Sequence, residues 1–373
     1  MIDTKNILSV KLDQRYCRRH VDSFPNIQAI VNECCNELNM APPKLIGCES
    51  LVRSFSAFQL RGESYLIYDG CLVEALCLYD HILSSGASKN DMDKFFFKLF
   101  GEECILLGDL LHGLYFAGKY SRLKFSFDDD IGHSNQITEQ VSCQIYFLIA
   151  HELAHTLLWK TSGRIPVPYQ KFVRGAIGAL TEREMKANGQ SFQKFISFRT
   201  GYFLDFVPEN LNEYLNALMA SKRFHHFMEE CYCDFMGLKL LLEHYENPDR
   251  SITAVSSALN YLITQESIRS DMRDGVFHMK DTLREATSTM YFSVLRVHLL
   301  LLTLGMNELD DIEQAFVQIH DRSCLTERLS TFIELLPDKE AMGVLTYADL
   351  PDIDQKALVN SLLRQFYCLS ITA

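Results

Sequence analysis

The sequence predicts a mainly α-helical protein with a small β-sheet, an α+β fold, and three observations carry that expectation. Apolar residues recur at helical spacing over most of the 373 residues. The best strand candidate in the chain is one short region, residues 55–69. Glycine, proline and short polar clusters fall between the periodic segments, where turns are expected.

In chain order, residues 27–39 read as a helix stopped by Ala41-Pro42-Pro43. The best strand, Ser64-Tyr65-Leu66-Ile67-Tyr68, follows the turn-like Arg61-Gly62 and stops at Asp69-Gly70. A helix over 72–83 follows, then a helix over 91–111 in which Phe95, Phe96, Phe97 and Phe100 supply core bulk. The polar break Phe127-Asp128-Asp129-Asp130-Ile131-Gly132 leads into a long helix, with Ser134 or Asn135 as its N-cap and Gly163 just beyond its end. Residues 160–222 are mixed in character and form a candidate lid or insertion. A strong helix over 223–243 ends before Asn247-Pro248, and from 251 onward the pattern is almost wholly helical. This organisation gives a core over 1–245 and a helical C-terminal region over 246–373, expected to pack on the core and help complete its site.

The long helix holds His151-Glu152-Leu153-Ala154-His155. Residues four apart lie on one helix face, so His151 and His155 can bind one metal ion together. Glu152, rotated about 100° from His151, can reach a metal-bound water without being a ligand. Val141, Ile145, Leu148 and Leu153 surround the triplet with apolar residues, and polar groups are costly to bury unless paired or metal-bound. The pattern is that of a zinc hydrolase.

A catalytic zinc usually has three protein ligands plus water. The helix over 223–243 offers Glu230 and Asp234, four apart on one face, with Gly237 a turn further on, where another helix can approach closely. Glu230 fits as the third ligand and Asp234 as the carboxylate that accepts a proton from a ligating imidazole. Glu229 and His226 are rivals for the ligand, while Cys231 and Cys233 fit core packing better than coordination.

The net charge of -12 argues against non-specific nucleic-acid binding and against adsorption to anionic membranes. The N-terminus has no apolar h-region. The most apolar window, 290–306, is short for a span and contains Arg296 and His298, so no membrane insertion is expected. Twelve cysteines without a regular framework read as reduced thiols and a cytoplasmic location.

Glu230-x-x-x-Asp234 after His-Glu-x-x-His resembles the gluzincin metallopeptidases, nearest to the HtpX-like and CAAX-processing group. Cys233 stands where that group has alanine. Ser56-Ala57-Phe58 resembles its Asn-Ala-Phe segment, with serine for asparagine, and Tyr65 to Tyr68 resembles the strand edging its cleft. His320 and Arg328 resemble its His-Pro…Arg element, with Asp321 in place of the proline and two extra residues before the arginine. The group's membrane spans have no counterpart here.

The resemblance implies a zincin-like metallopeptidase core with a helical C-terminal extension. It implies Zn²⁺ on His151, His155 and Glu230, with Glu152 as general base in hydrolysis of a protein or peptide substrate. His320 or Arg328 would stabilise the oxyanion, with Arg296, His298 and Tyr291 as lesser candidates. Tyr65, Leu66, Ile67 and Tyr68 would hold the substrate by strand addition. The alternative is a non-proteolytic regulatory or partner-binding protein with a structural zinc, its partner met by the C-terminal region.

Overall fold

The computed structural model describes residues 17–21, 25–84, 87–106, 110–126, 138–161, 163–186, 219–220, 223–277, 296 and 299–300. In order these form β1 (Cys17–Val21), α1 (Pro25–Glu37), β2 (Lys44–Ser50), β3 (Ser56–Leu60), β4 (Glu63–Asp69), α2 (Gly70–Ser84), α3 (Lys89–Leu106) and α4 (Leu110–Arg122). Then come α5 (Glu139–Lys160), α6 (Val167–Lys186), α7 (Arg223–His244) and α8 (Pro248–Phe277). The protein is mostly helical with one small mixed sheet, as the sequence predicts.

The sheet runs β1-β2-β4-β3, with β2 and β4 parallel and the other pairs antiparallel. β3 and β4 join through Arg61 and Gly62, both at positive φ (53° and 82°). Positive φ at both central residues is the tight hairpin turn whose twist matches the strands. β4 is therefore interior, and Tyr65, Leu66, Ile67 and Tyr68 are all buried. This corrects the expectation that Tyr65 to Tyr68 hold substrate by strand addition: Tyr65, Leu66 and Ile67 are already paired on both sides, and Tyr68 is paired with Gly47 of β2 and buried. The edge on that side is β3.

The register also fixes which β3 groups face outward. Leu60 and Glu63 flank the two-residue turn and so form a hydrogen-bonded pair, and the pairs alternate from there. Ala57 and Gln59 fall on the non-hydrogen-bonded pairs, which turns their N–H and C=O groups to the free edge.

Helix ends differ from expectation in physically simple ways. α1 stops before the prolines, because Asn39 takes a left-handed conformation (φ 49°) and Met40 N–H bonds back to the Cys35 carbonyl. The helix expected over 91–111 ends at Leu106, and a separate one begins at Leu110. α5 is capped by Thr138, whose hydroxyl accepts from Val141 N–H at 3.2 Å, not by Ser134 or Asn135. Gly163 does end it, at φ 70°, with its N–H on the Leu158 carbonyl.

α5 is buried on nearly all sides, as expected of a helix that is apolar all round. Its first four turns join the main core with α2, α3, α8 and the end of α7. Ala154 and Leu158 belong to a second cluster with α6, the start of α7 and Leu299. His151 to His155 sit at the seam between the two. α8 shares the main core through Ala254, Val255 and Leu259. No helix among the described residues is long and apolar enough to cross a membrane.

Candidate metal centre

α5 and α7 cross antiparallel, and a glycine sets how closely. A Cβ on Gly237 would lie 3.0 Å from the Phe147 carbonyl oxygen, so only glycine admits this approach. One turn up α5 from Phe147 is His151, and one step back along α7 from Gly237 is Asp234. The helix contact thus brings the motif face onto the acidic face.

His151 Nε2 and His155 Nε2 are 3.2 Å apart. Glu230 Oε1 lies 3.2 Å from His155 Nε2, and Glu230 Oε2 lies 3.5 Å from His151 Nε2. These separations match the edge of a tetrahedral metal site, about 3.3 Å for bonds of about 2.0–2.1 Å. One donor atom from each of the three residues falls within 4.8 Å of the others. Two imidazoles and a carboxylate at this spacing fit a divalent metal ion.

The groups behind the donors fix their orientation. His151 Nδ1 lies 2.9 Å from Asp234 Oδ1. A carboxylate only accepts, so Nδ1 carries the proton and Nε2 is the metal-facing nitrogen. Arg296 donates to both Asp234 oxygens at 2.8 Å and places Nη1 2.8 Å from Glu230 Oε2, which leaves Oε1 for His155. Glu229 Oε1 sits 3.1 Å from His155 Nδ1, across the ring from Nε2, so Glu229 is no rival ligand. His226 is exposed and 3.8 Å from Glu230.

Glu152 points from the same helix to the sheet edge, where Ala57 N–H donates to its Oε2 at 2.7 Å. That amide is one of the two that the β3 register turns outward.

Electrostatics reinforce the metal fit. Burial alone would depress the His151 imidazolium, but contacts with Asp234 and Glu230 outweigh it and push the pKa up to about 10. His155 is raised against its burial by Glu230. Burial works against the Glu230 and Asp234 carboxylates, yet Arg296 and the imidazoles hold both below the usual range. For Glu152, burial raises the pKa more than the histidines and the Ala57 amide lower it. Burial also lifts the Cys231 and Cys233 thiols well up, which suits core residues rather than thiolate ligands.

The structure therefore brings His151, Glu152, His155, Glu230 and Asp234 together. His320, Arg328, His298 and Tyr291 lie outside the described residues. Ala57 and Arg296 have roles the sequence reading did not assign. For Arg296 there was a signal: a charge inside the apolar window 290–306 needs a buried partner. Compared with protein-family models, curated proteins and solved structures, the chain matches none.

Proposed function

We propose that the protein is a zinc-dependent endopeptidase of the gluzincin type, with a zincin-like core, acting on a cytoplasmic protein or peptide substrate. One observation carries the reading: His151 Nε2, His155 Nε2 and a Glu230 oxygen converge while Glu152, beside them, is held by the free edge of a sheet. Zinc suits two imidazoles and a carboxylate, and when bound supplies a Lewis acid that brings the pKa of a water near neutrality and polarises a carbonyl.

The chain's own residues do the rest. Ala57 N–H holds Glu152 Oε2, so Oε1 is the oxygen that takes a proton from the attacking water and passes it to the leaving amine. The raised pKa of Glu152 makes it a better acceptor near neutral pH. An extended peptide laid along β3 would pair with the outward groups of Gln59 and with the Ala57 carbonyl, the Ala57 N–H being held by Glu152. That pairing sets its scissile bond beside Glu152. Asp234 orients His151, and Arg296 holds Asp234 and Glu230 in register. Arg296 is committed to these two carboxylates, so the developing oxyanion needs another donor; His320 and Arg328 are our candidates, by resemblance.

The test is Glu152→Gln. Bound zinc should persist while cleavage disappears, read by comparing cleaved proteins in cells making the wild type or the variant. Cleavage retained by the variant sinks the assignment. Bound zinc with no cleavage by the wild type would leave the partner-binding alternative.

A further inference from the structure

We propose that Glu229 is a positioning residue: its carboxylate fixes the tautomer and ring orientation of His155, as Asp234 does for His151. The inference rests on the metal reading above and extends it to a residue outside the donor set.

The argument starts from the helix register. Along the antiparallel crossing, Phe147 meets Gly237, His151 meets Asp234 and His155 meets Glu229. Each turn forward on α5 is matched by a step back on α7. Successive α7 residues differ by about 100° around the helix axis. Asp234 therefore lies about 40° to one side of Glu230, and Glu229 about 100° to the other. The three carboxylates fan around the paired imidazoles. The central one faces both Nε2 atoms, and the outer two each face one Nδ1.

A histidine can bind metal through either ring nitrogen, and the hydrogen bond at the other nitrogen decides which. Glu229 accepts from His155 Nδ1 at 3.1 Å, close to the 2.9 Å of the Asp234–His151 contact. That leaves Nε2 of both rings facing each other. A second restraint fixes the plane of the His155 ring. Trp159, one turn further along α5, stacks on it with centroids 6.1 Å apart and planes at 24°. His155 is thus held edge-on by Glu229 and face-on by Trp159.

Trp159 is the chain's one tryptophan, so its fluorescence reports events at His155 directly. The experiment titrates the metal-free full-length chain with Co²⁺ against a competing chelator, following Trp159 quenching and the visible cobalt spectrum. Wild type, Glu229→Gln and Glu229→Ala are compared. Loss of an orienting partner typically costs 10–100-fold in metal affinity, so Glu229→Ala should fall about 10–100-fold. Glu229→Gln keeps an acceptor oxygen and the side-chain shape, so it should lie between the other two. Both variants should shift the cobalt bands, with metal-free unfolding midpoints unchanged.

Wild-type affinity and an unaltered spectrum in both variants overturn the proposal. So does a loss confined to the stability of the metal-free protein. Failure of the wild type itself to bind one equivalent of cobalt overturns the metal reading, a result distinct from either.

Discussion

Two clusters of charge at or near the core differ in how their charges match among the described residues. On the far side of the sheet's connection, Arg53 pairs with Glu102 at 2.5 Å and Glu103 at 3.6 Å. Lys98 meets Glu74 and Glu102, and Arg269 donates to both oxygens of Glu103 at 3.0 Å. Three cations there face three carboxylates. Around His151 and His155, four carboxylates (Glu152, Glu229, Glu230 and Asp234) face one guanidinium among the described residues, Arg296.

The first cluster pairs cations with carboxylates and pins α3, α8 and the connection into β3 together. Among the described residues the second is short of positive charge, and the proton drawn onto His151 supplies part of it in the metal-free protein. A divalent ion would supply it better. Buried charge in itself does not mark a functional site; uncompensated buried charge around paired donor atoms does.

The sharpest way to break the comparison is to unbalance the balanced cluster. Arg53→Met keeps an unbranched side chain of similar reach but leaves Glu102 without its closest cation. Breaking one partner from a buried pair typically costs 3–5 kcal/mol. Urea unfolding should show that loss equally with and without metal, and cobalt affinity of the folded protein should not move. A fall in affinity would mean the clusters communicate through β3, which starts three residues after Arg53 and carries the Ala57 amide to Glu152.

Metal removal acts on the other cluster. With free zinc at about 100 times its dissociation constant, chelation should lower stability by about 2.7 kcal/mol. The metal-free protein should also gain a pH dependence. The His151 pKa rises from 6.5 to about 10 on folding, so the folded state holds an extra proton between these values. That stabilisation is complete below about pH 6.5 and is lost as pH rises through about 10. In the metal-loaded protein the ligating nitrogen carries no proton, and this part of the slope should vanish. Equal slopes in the two forms would show that the metal does not replace a proton on His151.

The same contrast explains what was legible in the sequence. The metal donors could be read because helical spacing puts 151 with 155, and 230 with 234, before any tertiary contact is known. The pairing of the two helices rested on one glycine, Gly237, and that too was readable. The balanced cluster was not. Lys98 and Glu102, four apart on α3, have the look of a solvated face, yet both are buried. Tertiary packing overrides the local pattern there.

β2 escaped for a related reason. Lys-Leu-Ile-Gly-Cys-Glu-Ser shows no alternation, and its place is set by parallel pairing with β4, more than a dozen residues away. β4 itself was found, and β3 lies in the same strand-like region, but β2 on its other side was not, so an interior strand was taken for an edge.

Gly237→Ala tests whether one helix contact holds both the packing and the site. The new methyl would meet the Phe147 carbonyl at 3.0 Å and the Phe147 ring at 3.1 and 3.2 Å. A carbonyl in the middle of α5 cannot swing aside, so the helices must part. Overpacking of this kind costs about 1–3 kcal/mol, offset in part by alanine's better helix propensity. Because His151 and Asp234 flank the contact, cobalt affinity should fall along with stability. A stability loss alone would place the control of the donor geometry elsewhere, with Arg296 the next group to test.

Thr138→Ala should have the smallest effect and touch neither cluster. Thr138 accepts from Val141 N–H at the start of α5, more than three turns before His151. It also hydrogen-bonds Asp80, where burial raises the carboxyl pKa and the Thr138 contact pulls it back. Losing a threonine N-cap costs about 1 kcal/mol, and Thr138→Ser should restore most of it by keeping the hydroxyl. The unfolding midpoint should therefore drop for alanine and recover for serine, with cobalt affinity and the cobalt spectrum constant across all three proteins. A change in affinity would show that the position of α5 along its axis, and not only its closeness to α7, sets the distance between the two imidazoles and Glu230.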